Sequence, residues 1–362
     1  MPQLLFLNQK HLNTPSHRKV NMSYDIITIG SATVDVFVKT DNQLIRMKTK
    51  SCEEDLIAYP CGKKVLIEQL DFMTGGGATN TGVCFSRLGL KTACLGVIGK
   101  DDNGKHILSE LKKEKIAFIG YEEKKGMTAY SVILDSIEHH RTILTYKALS
   151  NQLKFSKLNN KIKKGKLKTK WFYFCTMLGE SFKTLEKLAE YAEKNKIKIA
   201  FNPTNYLAKE GFEKLSKILD RTSALVLNME EAKLLLGYKC EDKSIKVERL
   251  VKELNTLGPN IILITDGKNG SYCFVDGKKN HLYHIKPRGV KIMETTGAGD
   301  AFTASFIAGL IKGKPIEFCL FLAQANAESV IQSYGAKNIL LKWPQALKEM
   351  KKFKHKVTRM KI

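Results

Sequence analysis

No apolar run in this 362-residue chain approaches the roughly eighteen residues needed to cross a bilayer, so no membrane partner is expected. The opening MPQLLFLNQK has too short an apolar stretch, and no basic start, for a signal peptide. Arginine is scarce. The net charge of +24 comes from 60 basic residues of which only eight are arginine, the rest being lysines spread along helices and loops, often beside glutamate. Planar guanidinium forks carry much of base and phosphate recognition. A lysine-rich solvated surface therefore argues against a specific nucleic-acid partner, although its field draws in anionic small molecules. The eight cysteines form no C-x-x-C pair, which excludes a zinc ribbon and a disulfide framework and fits reduced thiols in a cytoplasmic protein. His281 and His284 stand as H-x-x-H without a third ligand nearby. No G-x-x-x-x-G-K-[ST] occurs, so a P-loop nucleotide site is not supported, and protein-kinase motifs are absent too.

An apolar fraction of 43% can build a core. Residues 1–23 read as a disordered N-terminal extension, with Met22 just before the first strand pattern, YDIITIG. From residue 171 onward apolar strands alternate with helices of nine to sixteen residues: WFYFCTML, SFKTLEKLAEYAEKNK, KIAFNP, GFEKLSKIL, ALVLN, MEEAKLLLG, VERLVKELNTLG, IILITDG. That alternation predicts an α/β fold, a doubly wound, mostly parallel sheet with helices on both faces. Two helix-poor stretches, about 36–72 and 127–147, predict a small extra β-sheet, the second stretch as a hairpin about SIEHH. The main domain is expected over 24–345, with 346–362 as a basic C-terminal helix or tail.

Chemistry concentrates where strands end, which is where open α/β sheets bind ligands. In TTGAGDAFTASFIAGL, Gly297, Ala298 and Gly299 open a helix. Small residues let backbone amides face an anion, and the helix start adds partial positive charge. Asp300 follows in the first turn, placed either to complement the helix dipole or to take a proton from a hydroxyl attacking a phosphoryl group. In MTGGGATNTGVCFSRLG, Gly75, Gly76 and Gly77 allow close approach of a ligand, and Asn80 offers both a donor and an acceptor. In ITDGKNGSYCF, Thr265, Gly267 and Gly270 form a polar turn suited to phosphate, or a plain hairpin. Asn228 and Glu231 form either an N-cap with its capping-box acid or a pair facing a metal-bound nucleotide. Asp35 lies five residues after Gly30, beside the first strand.

In this order the segments resemble the ribokinase-like (PfkB) carbohydrate and nucleoside kinase family, from about Tyr24 to Leu341. GGGATNTGVCFSRLG and TTGAGDAFTASFIAGL look like its two signatures. The resemblance implies a phosphotransferase that moves the ATP γ-phosphate to a primary hydroxyl of a sugar or sugar-like compound. Asp300 would be the base and Gly297, Ala298 and Gly299 the anion hole. Asp35, Gly75, Gly76 and Asn80 would hold the substrate. Asn228, Glu231, Thr265, Gly267, Gly270 and Asn326 would hold ATP, with Gly335 bordering the adenine. Mg²⁺ would come with ATP, ordered through water by Glu231, and the small sheet would act as a lid that can also build a homodimer. A monovalent cation such as K⁺ is a further expected cofactor, for which Glu294 stands where many members carry aspartate. Gly77 stands where ribokinases usually carry lysine, which argues against ribose. A nucleoside kinase of adenosine type is the alternative, and would need an apolar or aromatic base pocket from Phe37 or the lid. A non-enzymatic binding protein on this fold would be favoured by loss of Asp300 or its glycines, and all are present.

Overall fold

The computed structural model describes residues 24–40, 44–48, 53–135, 141–277, 280–333 and 335–362. The expected extension at 1–23, Cys52 and the turn SIEHH lie outside the described residues. The strand–helix alternation produces one ten-stranded sheet. Its order is Thr358–Lys361, His281–Ile285, Ser271–Val275, Ile261–Thr265, Ala224–Asn228, Lys198–Phe201, Thr169–Phe174, Tyr24–Ile29, Thr92–Leu95, Ala117–Phe118. The seven strands from Ile261–Thr265 to Ala117–Phe118 pair parallel, and the other three antiparallel.

Strands covered on both faces need apolar residues in succession, and WFYF supplies them. Trp171 and Tyr173 pack beneath the helices Gly77–Arg87, Ala298–Ile311 and Ile316–Val330. Phe172 and Phe174 face the opposite layer, built from Glu180–Lys194, Gly211–Leu219, Met229–Leu235 and Val247–Asn255. The period of two along each strand thus divides one apolar run between two cores.

A second sheet has the order Arg141–Tyr146, Ala129–Asp135, Thr33–Lys39, Gln69–Gly75. Thr33–Lys39 pairs parallel with Ala129–Asp135 and antiparallel with Gln69–Gly75. Asp35, Ser131 and Thr145 of this sheet share a cavity with Thr176 and Asn202, which follow main-sheet strands. The small sheet therefore covers the carboxyl ends of the parallel strands.

The C-terminal residues join the fold. The helix Trp343–Met350 buries Ala346, and Thr358–Lys361 pairs antiparallel with His281–Ile285 at the sheet edge. An exposed edge strand needs only main-chain hydrogen bonds along one side, so KKFKHKVTRMKI gives no apolar alternation to announce it. The late helix stops at Val330 and does not run to Gly335.

Phe174 is fully buried and its ring stacks on Phe172 at a centroid separation of 5.9 Å. Phe174→Ala is expected to cost about 3–5 kcal/mol, read as a lower urea midpoint at unchanged slope.

Candidate active site

Two cavities meet at the start of the Ala298–Ile311 helix. The larger, about 480 Å³, is lined by Thr265, Gly267, Gly270, Ala298, Gly299 and Phe302, among others. The second, about 390 Å³, lies under the small sheet and includes Asp35, Gly76 and Asp300. Residues 298–300 thus form the partition, with small residues on one side and a carboxylate on the other.

Local backbone chemistry fixes that partition. Gly297 caps the helix in left-handed conformation (φ 77°), and a Cβ there would come within 2.5 Å of Ala336 Cα. Only glycine meets both conditions. The Ala298 amide donates to the Thr295 carbonyl at 3.2 Å, and Ala301 N–H to the Gly297 carbonyl. This corrects the expected donor set. The amides of Gly299 and Asp300 have no backbone acceptor among the described residues, so they, rather than Ala298, are the donors at this helix start. Gly335, expected beside the adenine, instead donates its N–H to Glu294 Oε2 at 2.9 Å. The Thr296 hydroxyl donates to the other oxygen of Glu294. Glu294 so ties the residues before the helix to the loop at 335–338.

Asp300 is half-buried. Asn80 Nδ2 donates to its Oδ2 at 2.9 Å. Burial pushes the Asp300 carboxyl up to about 6; the Asn80 hydrogen bond and the Lys337 ammonium act downward, and the Asp35 charge adds to the rise. Asn80, expected to hold substrate, therefore meets the Asp300 carboxylate, while its own Oδ1 is buried without a partner.

Asp35 accepts a hydrogen bond from the Thr33 hydroxyl at 3.0 Å, and burial raises its carboxyl as well. Gly75 makes room for it, since a Cβ there would collide with Asp35 Oδ2. Gly76 caps the Gly77–Arg87 helix and lines the second cavity. Asn228 and Glu231 form the capping box. Asn228 Oδ1 accepts from Glu231 N at 2.7 Å, and Glu231 Oε2 accepts from Asn228 N at 2.8 Å. Asn228 pairs in register with Thr265, one strand from the larger cavity.

Asn326 does not border either cavity. It is fully buried, donating to Ser305 Oγ at 2.8 Å and accepting from Leu341 N at 2.9 Å. Helical geometry explains the correction: Gln324, Ala327, Glu328 and Ile331 share the face that lines the larger cavity, and Asn326 points away. Gln324 Nε2 donates to Glu328 Oε1 at 2.9 Å, and the Arg288 backbone N–H donates to the same oxygen at 2.7 Å.

Other lining residues lay outside the sequence analysis. Thr176 and Asn202 follow parallel strands at their carboxyl ends, a position that the topology marks for ligand binding. Tyr206 sits on a short helix, Thr204–Ala208, that begins with Thr204 at φ 48°, a strained backbone for a β-branched residue. Ser131, Thr145 and Lys147 come from the small sheet and its exit. Phe37 does not line the second cavity. Among the described residues no group of three or more His, Cys, Asp or Glu is placed to hold a metal.

A parallel α/β sheet, a β-cover and a glycine-opened helix between two cavities are the features of this site. Residues 36–343 match the pfkB family carbohydrate kinase, and the chain belongs to that family. It is similar to an uncharacterized sugar kinase of Archaeoglobus fulgidus, 27% identical over 253 residues, covering 70% of this chain and 96% of the relative. It is also similar to a nucleoside kinase of Methanocaldococcus jannaschii (25% identical, 77% and 85% covered) and to ribokinase of Bacillus subtilis (26% identical, 86% and 94% covered). Among solved structures, Arabidopsis thaliana ribokinase complexed with ribose and ATP superposes with a TM-score of 0.76 at 21% identity, covering 92% of this chain and 100% of that one. The fold class expected from the sequence is thereby borne out.

The raised Asp300 carboxyl has a stability consequence. Below its ordinary value of 3.8 the group is protonated folded or unfolded. Between 3.8 and about 6 only the unfolded chain ionises it, so the fold loses stability as pH rises, and above about 6 the loss is complete. Asp300→Asn lacks this loss. Its thermal midpoint relative to wild type is expected to climb from pH 4 to pH 7, measured by calorimetry at fixed ionic strength.

Proposed function

We propose that this kinase transfers the γ-phosphate of ATP to a primary hydroxyl of a sugar-like acceptor, with Asp300 as general base. The observation that carries this reading is the partition at 298–300, because one helix start addresses both cavities. ATP occupies the larger cavity, its phosphates following Thr265, Gly267 and Gly270 to the Gly299 and Asp300 amides. The acceptor occupies the second cavity, its hydroxyls meeting Asp35 and the backbone at Gly76. Asp300 takes the acceptor proton as that oxygen attacks the γ-phosphorus, and ADP departs. The amides stabilise charge on the transferring phosphoryl group, the contribution such a reaction mainly requires. Asn80 fixes the carboxylate and favours its charged form.

Mg²⁺ supplies charge neutralisation on the phosphates and arrives with ATP. Both capping-box partners are committed to each other, so what Glu231 offers is a contact through water rather than direct ligation. K⁺ beside the Glu294 tie is part of the same reading, as is the small sheet acting as a lid that excludes water. The seven described cysteines are free, which fits a cytoplasmic setting. A sugar acceptor is supported by the hydroxyl and amide groups that Ser31, Thr33, Ser131, Thr145, Thr176 and Asn202 bring to the wall and by the absence of Phe37 from it; Ile133 and Ile143 of the lid and Tyr206 are the apolar and aromatic surface that a nucleoside would use instead.

A homodimer through the lid is the assembly we propose. The face of the small sheet away from the cavity exposes Leu70, Phe72, Leu144 and Tyr146, 48–60% accessible, with Leu144, Val132, Val36 and Phe72 in one register row. Light scattering should find a dimer, and Phe72→Lys with Leu144→Lys should shift it to monomer.

ADP release with ATP, Mg²⁺ and a panel of sugars and nucleosides tests the reaction. Asp300→Asn should lower kcat by about 10²–10⁴ while nucleotide binding persists; near-wild-type turnover would refute the assignment. The base must be ionised to act, so kcat/KM should rise with pH through about 6 and then level. Asn80→Ala removes a hydrogen bond to the charged form and should move this limb to higher pH.

A further inference from the structure

Among the described residues, the buried lysines have their ammonium groups hydrogen-bonded. Lys337, buried, places Nζ 2.7 Å from Glu110 Oε2. Lys233, also buried, donates to the carbonyls of Cys240 and Asp242 at 2.9 and 2.8 Å. Lys147 departs from this pattern. It is half-buried and lines the acceptor cavity, yet among the described residues no carboxylate comes within 4 Å of Nζ and no acceptor receives a hydrogen bond from it. Its contact is the face of Tyr206, with Nζ 5.1 Å from the ring centroid, and Tyr206 lines the same cavity. An ammonium drawn out of water without a hydrogen-bonded counter-charge is costly. Tyr206 returns part of that cost and holds the charge in one place.

The location is not an accident of a loose side chain. Lys147 follows the strand Arg141–Tyr146 and continues the row Ile143, Thr145, Lys147, all of which face the cavity. Among the described residues the wall holds two carboxylates, Asp35 and Asp300, and this one cation. Burial lowers the Lys147 ammonium and the Asp35 charge raises it, so the two are electrostatically aware of each other without pairing. Unused donors on a positioned cation call for an anion supplied from outside.

We propose that Lys147, on the face of Tyr206, binds an anionic group carried by the acceptor, so that the preferred acceptor is a sugar bearing a carboxylate or a phosphate. This rests on the kinase reading of the site. The anionic end lies at Lys147 and Tyr206, and the hydroxyl to be phosphorylated lies at Asp300. Ser131, Thr145 and Asn202 supply hydrogen bonds to the acceptor between them. Neutral sugars and nucleosides fill the cavity without meeting the ammonium, and are the poorer substrates.

The test uses the full chain and acceptor pairs in which one member carries an anionic group and the other a hydroxyl at the same carbon: D-gluconate against D-glucitol for a carboxylate, and D-fructose 6-phosphate against D-fructose for a phosphate. ADP release is measured with saturating ATP and Mg²⁺. In at least one pair the anionic member should show kcat/KM tenfold or more above its neutral partner. Lys147→Met should lower that ratio at least tenfold, chiefly through KM. Lys147→Glu should invert it, and Lys147→Arg should retain most of it. Thermal melting identifies any variant that fails to fold, and Lys147→Gln then replaces Lys147→Met. Phosphorylation of the neutral members alone, or a ratio indifferent to Lys147→Glu, would leave the kinase reading standing and overturn this inference. ADP release with no member of either pair would overturn both. The pair that responds tells carboxylate from phosphate.

Discussion

The Ala298–Ile311 helix begins where it does because Gly297 turns left-handed against Ala336, in a gap that admits no side chain. From that constraint the arrangement follows. The turn leaves the Gly299 and Asp300 amides unpaired at the helix start and projects the Asp300 carboxylate to the other side. The glutamate tie from Glu294 to Gly335 holds the approach to the turn, and Asn80 holds the carboxylate. Ala336 matters as much as the glycine, because the loop after the late helix sets how far the turn can travel. Displacing either would separate two functions that share three residues.

The cost of the arrangement is visible in Asp300 itself. A carboxylate withdrawn from water resists ionisation, and one hydrogen bond plus the field of Lys337 offset only part of that. The fold tolerates an acid that it would rather keep neutral, which is the condition of a proton acceptor operating near neutrality. Lys337 is itself buried and paired with Glu110, so its charge is fixed in place by the helix Asp102–Lys113. A side chain far along the sequence thereby tunes the acid at the partition.

Much of this was legible in the sequence. Apolar strands in succession, helices of fixed length and glycines at helix starts specify the parallel sheet and mark positions 75–76 and 297–299. Thr265, Gly267 and Gly270 line the larger cavity and Asp300 the second. What the sequence withheld depends on rotation and on distance. Asn326 is one helical step from the face that lines the cavity, and no motif encodes the roll of a helix against its neighbours. Asn80 meets Asp300 across 220 residues, so whether it serves substrate or base is decided by packing. Lys147 is one lysine among many until the strand register turns it inward. The edge strand at Thr358–Lys361 pairs through its backbone, to which side chains are nearly irrelevant.

The small sheet also divides labour in the molecule. Asp35, Ser131, Thr145 and Lys147 belong to strands, and the exit of one strand, that share no residue with the main-sheet turns lining the larger cavity. Their side chains alternate inward along the strands of this sheet, and none of the four belongs to either core. On the proposed reading, a replacement in this cover would change what the acceptor meets and leave the helix start untouched. A side chain at Gly297, by contrast, would have to displace Ala336.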